Sequence, residues 1–444
     1  MANMPAKPKL GRPGRFLMWV DRWSWLWLLL ASPFYFLLSP QLSPILLCVP
    51  LLLLVQKAAP GAPSRRTPLD WPLLGLALMV LLSLYATFDI ALSAPRIAGL
   101  ILGLGTYYMV ARFGQSTTGW WLSLAVFAAL GLGVAGAALF GMAWTPKIAV
   151  LSALTSRLPN LLLGVPGIGA GVNPNEVAGI LAWVIPVLAA VGVDGVVHAA
   201  AWREALGEKR AALANVFVIG VTLFALAVLV LAQSRGGYLA LGLVALGWAW
   251  LAVPPRWRGA ALAGAVVVGA AGLLALWQTG VASELFTSHS EPGQGSLSVD
   301  SLPGRLEIWS RAIYAIQDFP FTGIGVNTFQ PTVNELYPLF LFGAAPGVPH
   351  AHNEFLQAAL DLGLPGLVAF VALYVGAFWM VAAIGRAKAR WKTLCLGLGG
   401  GLLAHLVWGL TDCICLGSAS GPYFWLLLGL VAGLYLQMVA GPGS

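Results

Sequence analysis

ALANVFVIGVTLFALAVLVLAQSRGG, from Ala212 to Gly237, is the stretch that decides the fold. Its first 21 residues carry no charged side chain. At about 1.5 Å of rise per residue they make a helix about 30 Å long, the thickness of a bilayer's hydrocarbon core. A helix pairs its own backbone N–H and C=O groups, which that core demands. Arg235 then stands where the chain turns back, between Ser234 and two glycines. A guanidinium this close to hydrocarbon costs roughly 2–3 kcal/mol or more unless something pairs with it.

Runs of the same kind place twelve candidate spans near 23–39, 41–55, 71–88, 94–112, 120–143, 177–193, 212–232, 237–253, 259–277, 363–384, 394–410 and 423–440. The whole chain agrees: 59% of its 444 residues are hydrophobic and 9% are charged. A soluble domain has about 25% charged residues, so lipid must be part of the solvent. The basic N-terminus followed by an apolar run looks like a signal peptide. That run is long, Trp-rich and lacks a small-residue cleavage pattern, so it is expected to be retained as the first helix.

Lysine and arginine set the direction. With the N-terminus inside, cytoplasmic segments hold 18 of the 24 basic residues. The net charge of +8 therefore marks loops rather than nucleic-acid binding. Six basic residues fall on the opposite face: Arg96, Lys147, Arg157, Arg235, Arg305 and Arg311. Both termini are expected in the cytoplasm, and each of the six needs a reason. The spans themselves carry almost no ionisable group, which weighs against a coupled transporter or flippase. Cys413 and Cys415 are too close in sequence to suggest a disulfide, and Cys48 sits in an apolar run, so the cysteines are read as non-catalytic.

The expected fold class is all-α, a polytopic membrane protein of about 12 transmembrane helices with a large periplasmic loop containing short helices. Residues 1–277 hold helices one to nine, 278–362 form the loop, and 363–444 hold helices ten to twelve. The loop carries eight of the 16 acids and three of the five histidines. Loops this long are uncommon unless functional or disordered. Leu306, Trp309, Ile313 and Ile316 predict a helix after Pro303, capped by Asp300 or Ser301. A Gly-rich turn follows from Phe321 to Asn327, then a second short helix from Asn327 to Leu336.

Four pieces of sequence resemble the O-antigen ligase and O-antigen polymerase superfamily. They are Asn173-Pro-Asn-Glu176, Ser234-Arg-Gly-Gly237, Arg305 with Trp309 followed by Pro320 and Gly-Ile-Gly, and His352-Asn353 followed after nine residues by Gly363-Leu-Pro-Gly366. The last spacing is similar to the ligase signature. The resemblance implies a metal-independent glycosyltransferase with no cofactor, on the periplasmic face of the bacterial inner membrane. Such an enzyme moves O-antigen from undecaprenyl pyrophosphate to a sugar hydroxyl of lipid A–core. Its partners are that donor, that acceptor and membrane lipids, with no nucleic acid.

On that reading Arg235 and Arg305 bind pyrophosphate, for which a planar fork of donors is suited. Arg311, His350, Asn353, Asn173 and Asn175 are further substrate-binding candidates. His352 is the expected general base, since imidazole titrates near 6.5 and accepts a hydroxyl proton near neutral pH. Each has a plainer reading: headgroup snorkelling or a Glu176 pair for Arg235, solvated charge for the loop arginines, turn chemistry for the asparagines. Alternating His350, His352 and Glu354 lack a fourth ligand at a standard metal spacing. The spacing of Asp300, Glu307, Asp318 and Asp361 does not demand a glycosidase pair. A polymerase using the same donor is the nearest rival. An oligosaccharyltransferase acting on protein fits less well, since the chain ends soon after its last span.

Overall fold

The structure is a computed structural model that describes residues 66–142, 144, 148–161, 172–278, 301–342, 347–418 and 420–439, with Phe16 and Trp19. The spans expected at 23–39 and 41–55, Cys48, Lys147 and the loop's first part, including His289 and Asp300, lie outside the described residues. Among the described residues the fold is all-α, with one isolated bridge between Met142 and Val172 and no strand.

The helices are α1 (Asp70–Ala86), α2 (Ile90–Phe113), α3 (Thr117–Gly141), α4 (Ala149–Thr155), α5 (Pro174–Val197), α6 (Ala199–Leu206) and α7 (Glu208–Leu231). After them come α8 (Arg235–Ala252), α9 (Arg258–Gln278), α10 (Leu302–Asp318), α11 (Phe329–Leu336), α12 (Glu354–Ala387), α13 (Lys392–Trp408) and α14 (Pro422–Met438). By length and composition α2, α3, α5, α7 and α12 can each cross a bilayer. α8 and the segment Pro255–Gly272, bent by 119°, add a sixth if they form one span. α1 and α14 are apolar but shorter. The all-α membrane architecture therefore holds, while the count of twelve is not established.

α5 is the central helix. It packs against α13, α7, α3 and α8, and nearly its whole length is buried. Lipid supplies no hydrophobic drive between helices, so close packing has to. Small residues permit it: Gly179 of α5 lies under the Trp408 ring and Gly401 of α13 against the Trp183 carbonyl. At the C-terminal end of α5, Arg390 grips Asp194 through Nη1 and Nη2 at 2.6 and 3.1 Å, with His198 Nδ1 on the same carboxylate at 2.9 Å. This pair ties together two segments that the charge bias assigns to one face. The 24 residues of α5 carry the chain some 36 Å to Asn173 at the other end.

α10 forms as expected, capped by Ser301, whose Oγ accepts from Gly304 N at 3.1 Å. Its core side differs from the expected stripe. Ile308, Ala312 and Ala315 are buried, while Leu306 and Ile313 are exposed. The neighbours decide this: Ile308, Ala312 and Ala315 pack with Ile324, Phe329, Val333 and Leu360 of the following loop and α12. Trp309 and Ile316 of the expected stripe are partly buried against the same cluster, so the buried face is rotated rather than reversed.

α12 joins two helical pieces across a kink just after position 362. It bends at Gly363, which takes φ +70°. The Gly-rich turn crosses the helix there and completes its hydrogen bonds. Leu364 N donates to Pro320 O and Ile324 N to Leu360 O, both at 2.7 Å. A Cβ on Gly363 would stand 2.4 Å from Phe321 O, so the crossing needs glycine. The crossing locks the long loop onto the helix bundle.

Candidate active site

Four chain segments meet beyond the N-terminal end of α5. Ser234 caps α8, accepting from Gly237 N at 3.4 Å, and so makes Arg235 the first residue of that helix. The end of α13 and the start of α12 are laced together: Glu354 N donates to Gly409 O at 2.7 Å and Asn353 Nδ2 to Leu410 O at 3.0 Å. α10 lays its first turn alongside, and Arg305 Nη1 donates to Thr411 O.

Between them is a cavity of about 250 Å³ lined by Asn175, Arg235, Arg305, Trp309, Trp408 and Asp412 among others. Arg235 and Arg305, far apart in sequence, thus face one space. The walls are tryptophan and leucine, which suits a ligand with both an anionic and an apolar part.

His352 stands behind the cavity wall rather than in it. Its ring is buried, and Nδ1 lies 3.0 Å from Asp412 Oδ1. Asp412 is held in turn: Cys413 N donates to the same oxygen at 2.9 Å, and Arg305 Nη2 lies 4.0 Å from Oδ2. Burial pushes the Asp412 carboxyl up, but the hydrogen bond from His352 and the charges of His352, His350 and Arg305 outweigh it and hold it below the usual range. An ionised Asp412 fixes the imidazole's orientation and stabilises it once protonated. The backbone of His352 has φ +48°, a left-handed conformation rare outside glycine and common at functional sites.

His350 packs its ring 4.3 Å from that of His352 and accepts from His352 N at 3.3 Å. Its imidazole is pushed down to about 3, first by burial and then by the charge of His352, with Arg96 and Arg305 adding to it and Asp412 opposing. His350 is therefore neutral at ordinary pH. His350, His352 and Asp412 each offer a ligand atom within 4.8 Å of the others and are the residues able to hold a metal here. The third of these comes from 60 residues away, where no spacing rule looks.

The other candidates sit elsewhere. Arg311 lies over the Phe340 ring at 5.3 Å, 3.8 Å from Glu307, and Nε donates to Pro338 O. Asn353 Oδ1 caps α12, accepting from Phe355 N and Leu356 N at 3.0 Å. Asn173 caps α5 by accepting from Asn175 N at 2.8 Å, which leaves Asn175 as the asparagine that reaches the cavity. Glu176 accepts from Ser420. Glu307 takes the N–H groups of Phe340 and Leu341, Asp318 takes the Tyr337 hydroxyl, and Asp361 takes Gln357 Nε2. Burial pushes the Cys413 thiol up, which keeps it protonated. Asp412 was not singled out from sequence. The available signal was its isolation, as the single acid among residues 362–444.

Fold and site together define an all-α membrane protein whose loop and span ends share one cavity lined by two arginines. Residues 220–371 match the family described as O-antigen ligase, a segment that contains Arg235, Arg305 and His352. The chain is similar to a probable peptidoglycan glycosyltransferase FtsW of Nitrosococcus halophilus, 29% identical over 318 residues, 68% of this chain and 72% of that one. Its counterpart in Alkalilimnicola ehrlichii is 28% identical over 301 residues, 64% of this chain and 65% of that one. The exopolysaccharide production protein ExoQ of Rhizobium meliloti is 31% identical over 90 residues, 19% of this chain and 20% of that one. The resemblance to the O-antigen ligase and polymerase superfamily is borne out by the family match and by ExoQ.

Proposed function

We propose that the protein is a membrane glycosyltransferase that moves a glycan from undecaprenyl pyrophosphate to a sugar hydroxyl of lipid A–core, at the periplasmic face of the bacterial inner membrane. The observation that carries this is the meeting of Arg235 and Arg305 in one cavity, with Asp412 of the Asp412–His352 pair in its wall. Two guanidinium groups beside tryptophan and leucine match a pyrophosphate joined to a polyprenyl chain.

The reaction is a single displacement. His352 takes the proton of the acceptor hydroxyl as its oxygen bonds to the anomeric carbon. The bond from that carbon to the pyrophosphate oxygen breaks, and undecaprenyl pyrophosphate leaves on the opposite face with inversion. Arg235 and Arg305 stabilise the charge that grows on the leaving group, and Asp412 the imidazolium that forms. Asn175, which lines the same cavity, is assigned a contact with the donor in this scheme. Metal and nucleotide play no part in this scheme.

ExoQ and the FtsW relatives favour a second reading, a polymerase that uses the same donor with a lipid-linked glycan as acceptor. One experiment separates the two. Purified protein is incubated with undecaprenyl-pyrophosphate glycan and lipid A–core, without nucleotide or added metal. Transfer to core supports the ligase, whereas lengthening on undecaprenyl pyrophosphate supports the polymerase. His352→Ala and Arg305→Ala are each expected to stay folded and lose transfer. Wild-type activity in either overturns its role.

A further inference from the structure

His352 has φ +48°, and a residue in that conformation keeps its place only where the surroundings impose it. Asp412 holds its ring from one side. The adjoining backbone is held from another, by Gln357 in the first turn of α12. Ala351 N donates to Gln357 Oε1 at 2.9 Å, and Gln357 Nε2 donates in turn to Asp361 Oδ1 at 2.8 Å. Ala351, Gln357 and Asp361 are all buried. A backbone N–H donates and a carboxylate accepts, so one orientation of the Gln357 amide serves both.

The other end of this chain of bonds is anchored outside α12. Asp361 Oδ1 also accepts from Asn327 N at 3.3 Å. Asn327 is tied to α2 twice: its Nδ2 donates to Leu92 O at 2.8 Å, and its Oδ1 accepts from Arg96 Nε at 3.4 Å. A continuous polar strut therefore runs from α2, through the Gly-rich turn and one turn of α12, to the residue before His352. None of its members lines the donor cavity.

We infer that Gln357 is a positioning residue for the transfer reaction: through the Ala351 N–H it fixes the turn that presents His352 to Asp412 and to the acceptor hydroxyl. The inference rests on the glycosyltransferase reading and deepens it. Without the Gln357 oxygen a buried N–H goes unsatisfied, and the turn is free to relax from φ +48° and carry the imidazole off Asp412. A base displaced by about 1 Å costs up to about a hundredfold in rate. The arginines that face the donor are untouched, so the loss falls on kcat.

The test uses full-length protein in dodecyl maltoside, undecaprenyl-pyrophosphate glycan as donor, and whichever acceptor the wild type uses, lipid A–core or a second lipid-linked glycan. Gln357→Met keeps the shape and removes both bonds. Its kcat is expected to fall about 10–100-fold, with both KM values within about threefold of wild type. Gln357→Glu still accepts from Ala351 N but sets a carboxylate against Asp361, and should lose a similar factor. Adding Asp361→Asn to Gln357→Glu pairs the two side chains again with donor and acceptor exchanged, and should return kcat to within about fivefold of wild type. Wild-type kcat in a folded Gln357→Met protein overturns the inference. So does a double variant no faster than Gln357→Glu, or a loss that follows thermal stability across all the variants, since either means that the bonds serve folding alone. Hydrogen exchange over residues 348–355 is read in parallel without substrate, and should be at least about tenfold faster in Gln357→Met. Should the wild type transfer to neither acceptor, the glycosyltransferase reading fails, whereas unchanged exchange ends the inference by itself.

Discussion

Replacing Asp412 by Asn removes a charge and little else. An Asn oxygen in the place of Oδ1 still accepts from His352 Nδ1 and from Cys413 N, at the present 3.0 and 2.9 Å. The amide nitrogen then occupies the position of Oδ2, 4.0 Å from Arg305 Nη2. What is lost is the attraction between a carboxylate and the imidazolium that His352 becomes as it takes the proton. Over 3.0 Å, at an effective dielectric constant of about 20, that attraction is about 5 kcal/mol. The amide dipole and entering water recover part of it. A loss of about 3–4 kcal/mol remains, or roughly 10²–10³ in rate. It appears in kcat because the charge pair exists fully only in the transition state. Initial rates of glycan transfer at saturating donor and acceptor measure it, with thermal unfolding in detergent as the control for integrity. A rate within threefold of wild type, in a variant that unfolds at the same temperature, would refute the dyad.

Arg311→Ala is expected to keep transfer within about threefold of wild type and to cost at most about 1 kcal/mol, because its pair with Glu307 is partly exposed and outside the cavity. A hundredfold loss of activity would return it to the site. Gly363→Ala forces a methyl to within 2.4 Å of Phe321 O at φ +70°, so unfolding in detergent should shift by about 1–3 kcal/mol or more. An unshifted transition would show that the turn does not cross the helix there. His350 is held neutral in the folded protein because burial pushes it from 6.5 down to about 3. The unfolded chain binds a proton there first, so stability is lost as pH falls from about 6.5 toward 3. The acid slope of thermal stability should be shallower in His350→Gln, and equal slopes would contradict that environment.

The expected helix at Leu302–Asp318 shows how far local pattern reaches. Ser301 and Pro303 marked its start correctly, because capping is decided within four residues. Which face would be buried was misjudged at Leu306 and Ile313, since spacing says that a stripe exists and only the partner says which stripe is used. The same limit applies at Gly363, where the kink in α12 is completed by the distant turn at Pro320–Ile324.

Amino-acid order alone determined the membrane-helical class, the segregation of basic residues and the motif positions of Arg235, Arg305 and His352. These follow from solvation and backbone pairing, which act residue by residue along one segment. Only the tertiary structure decided that Arg235 and Arg305 share a cavity, that Asp412 is the partner of His352, and that Arg96 meets Asn327. Those contacts join residues that are 60 or more positions apart, and in the case of Arg96 and Asn327, 231. Their distances depend on how α2, α8, α10, α12 and α13 rotate and slide against one another. That is set by packing small residues against tryptophans inside the bundle, and no local stretch of the chain records it.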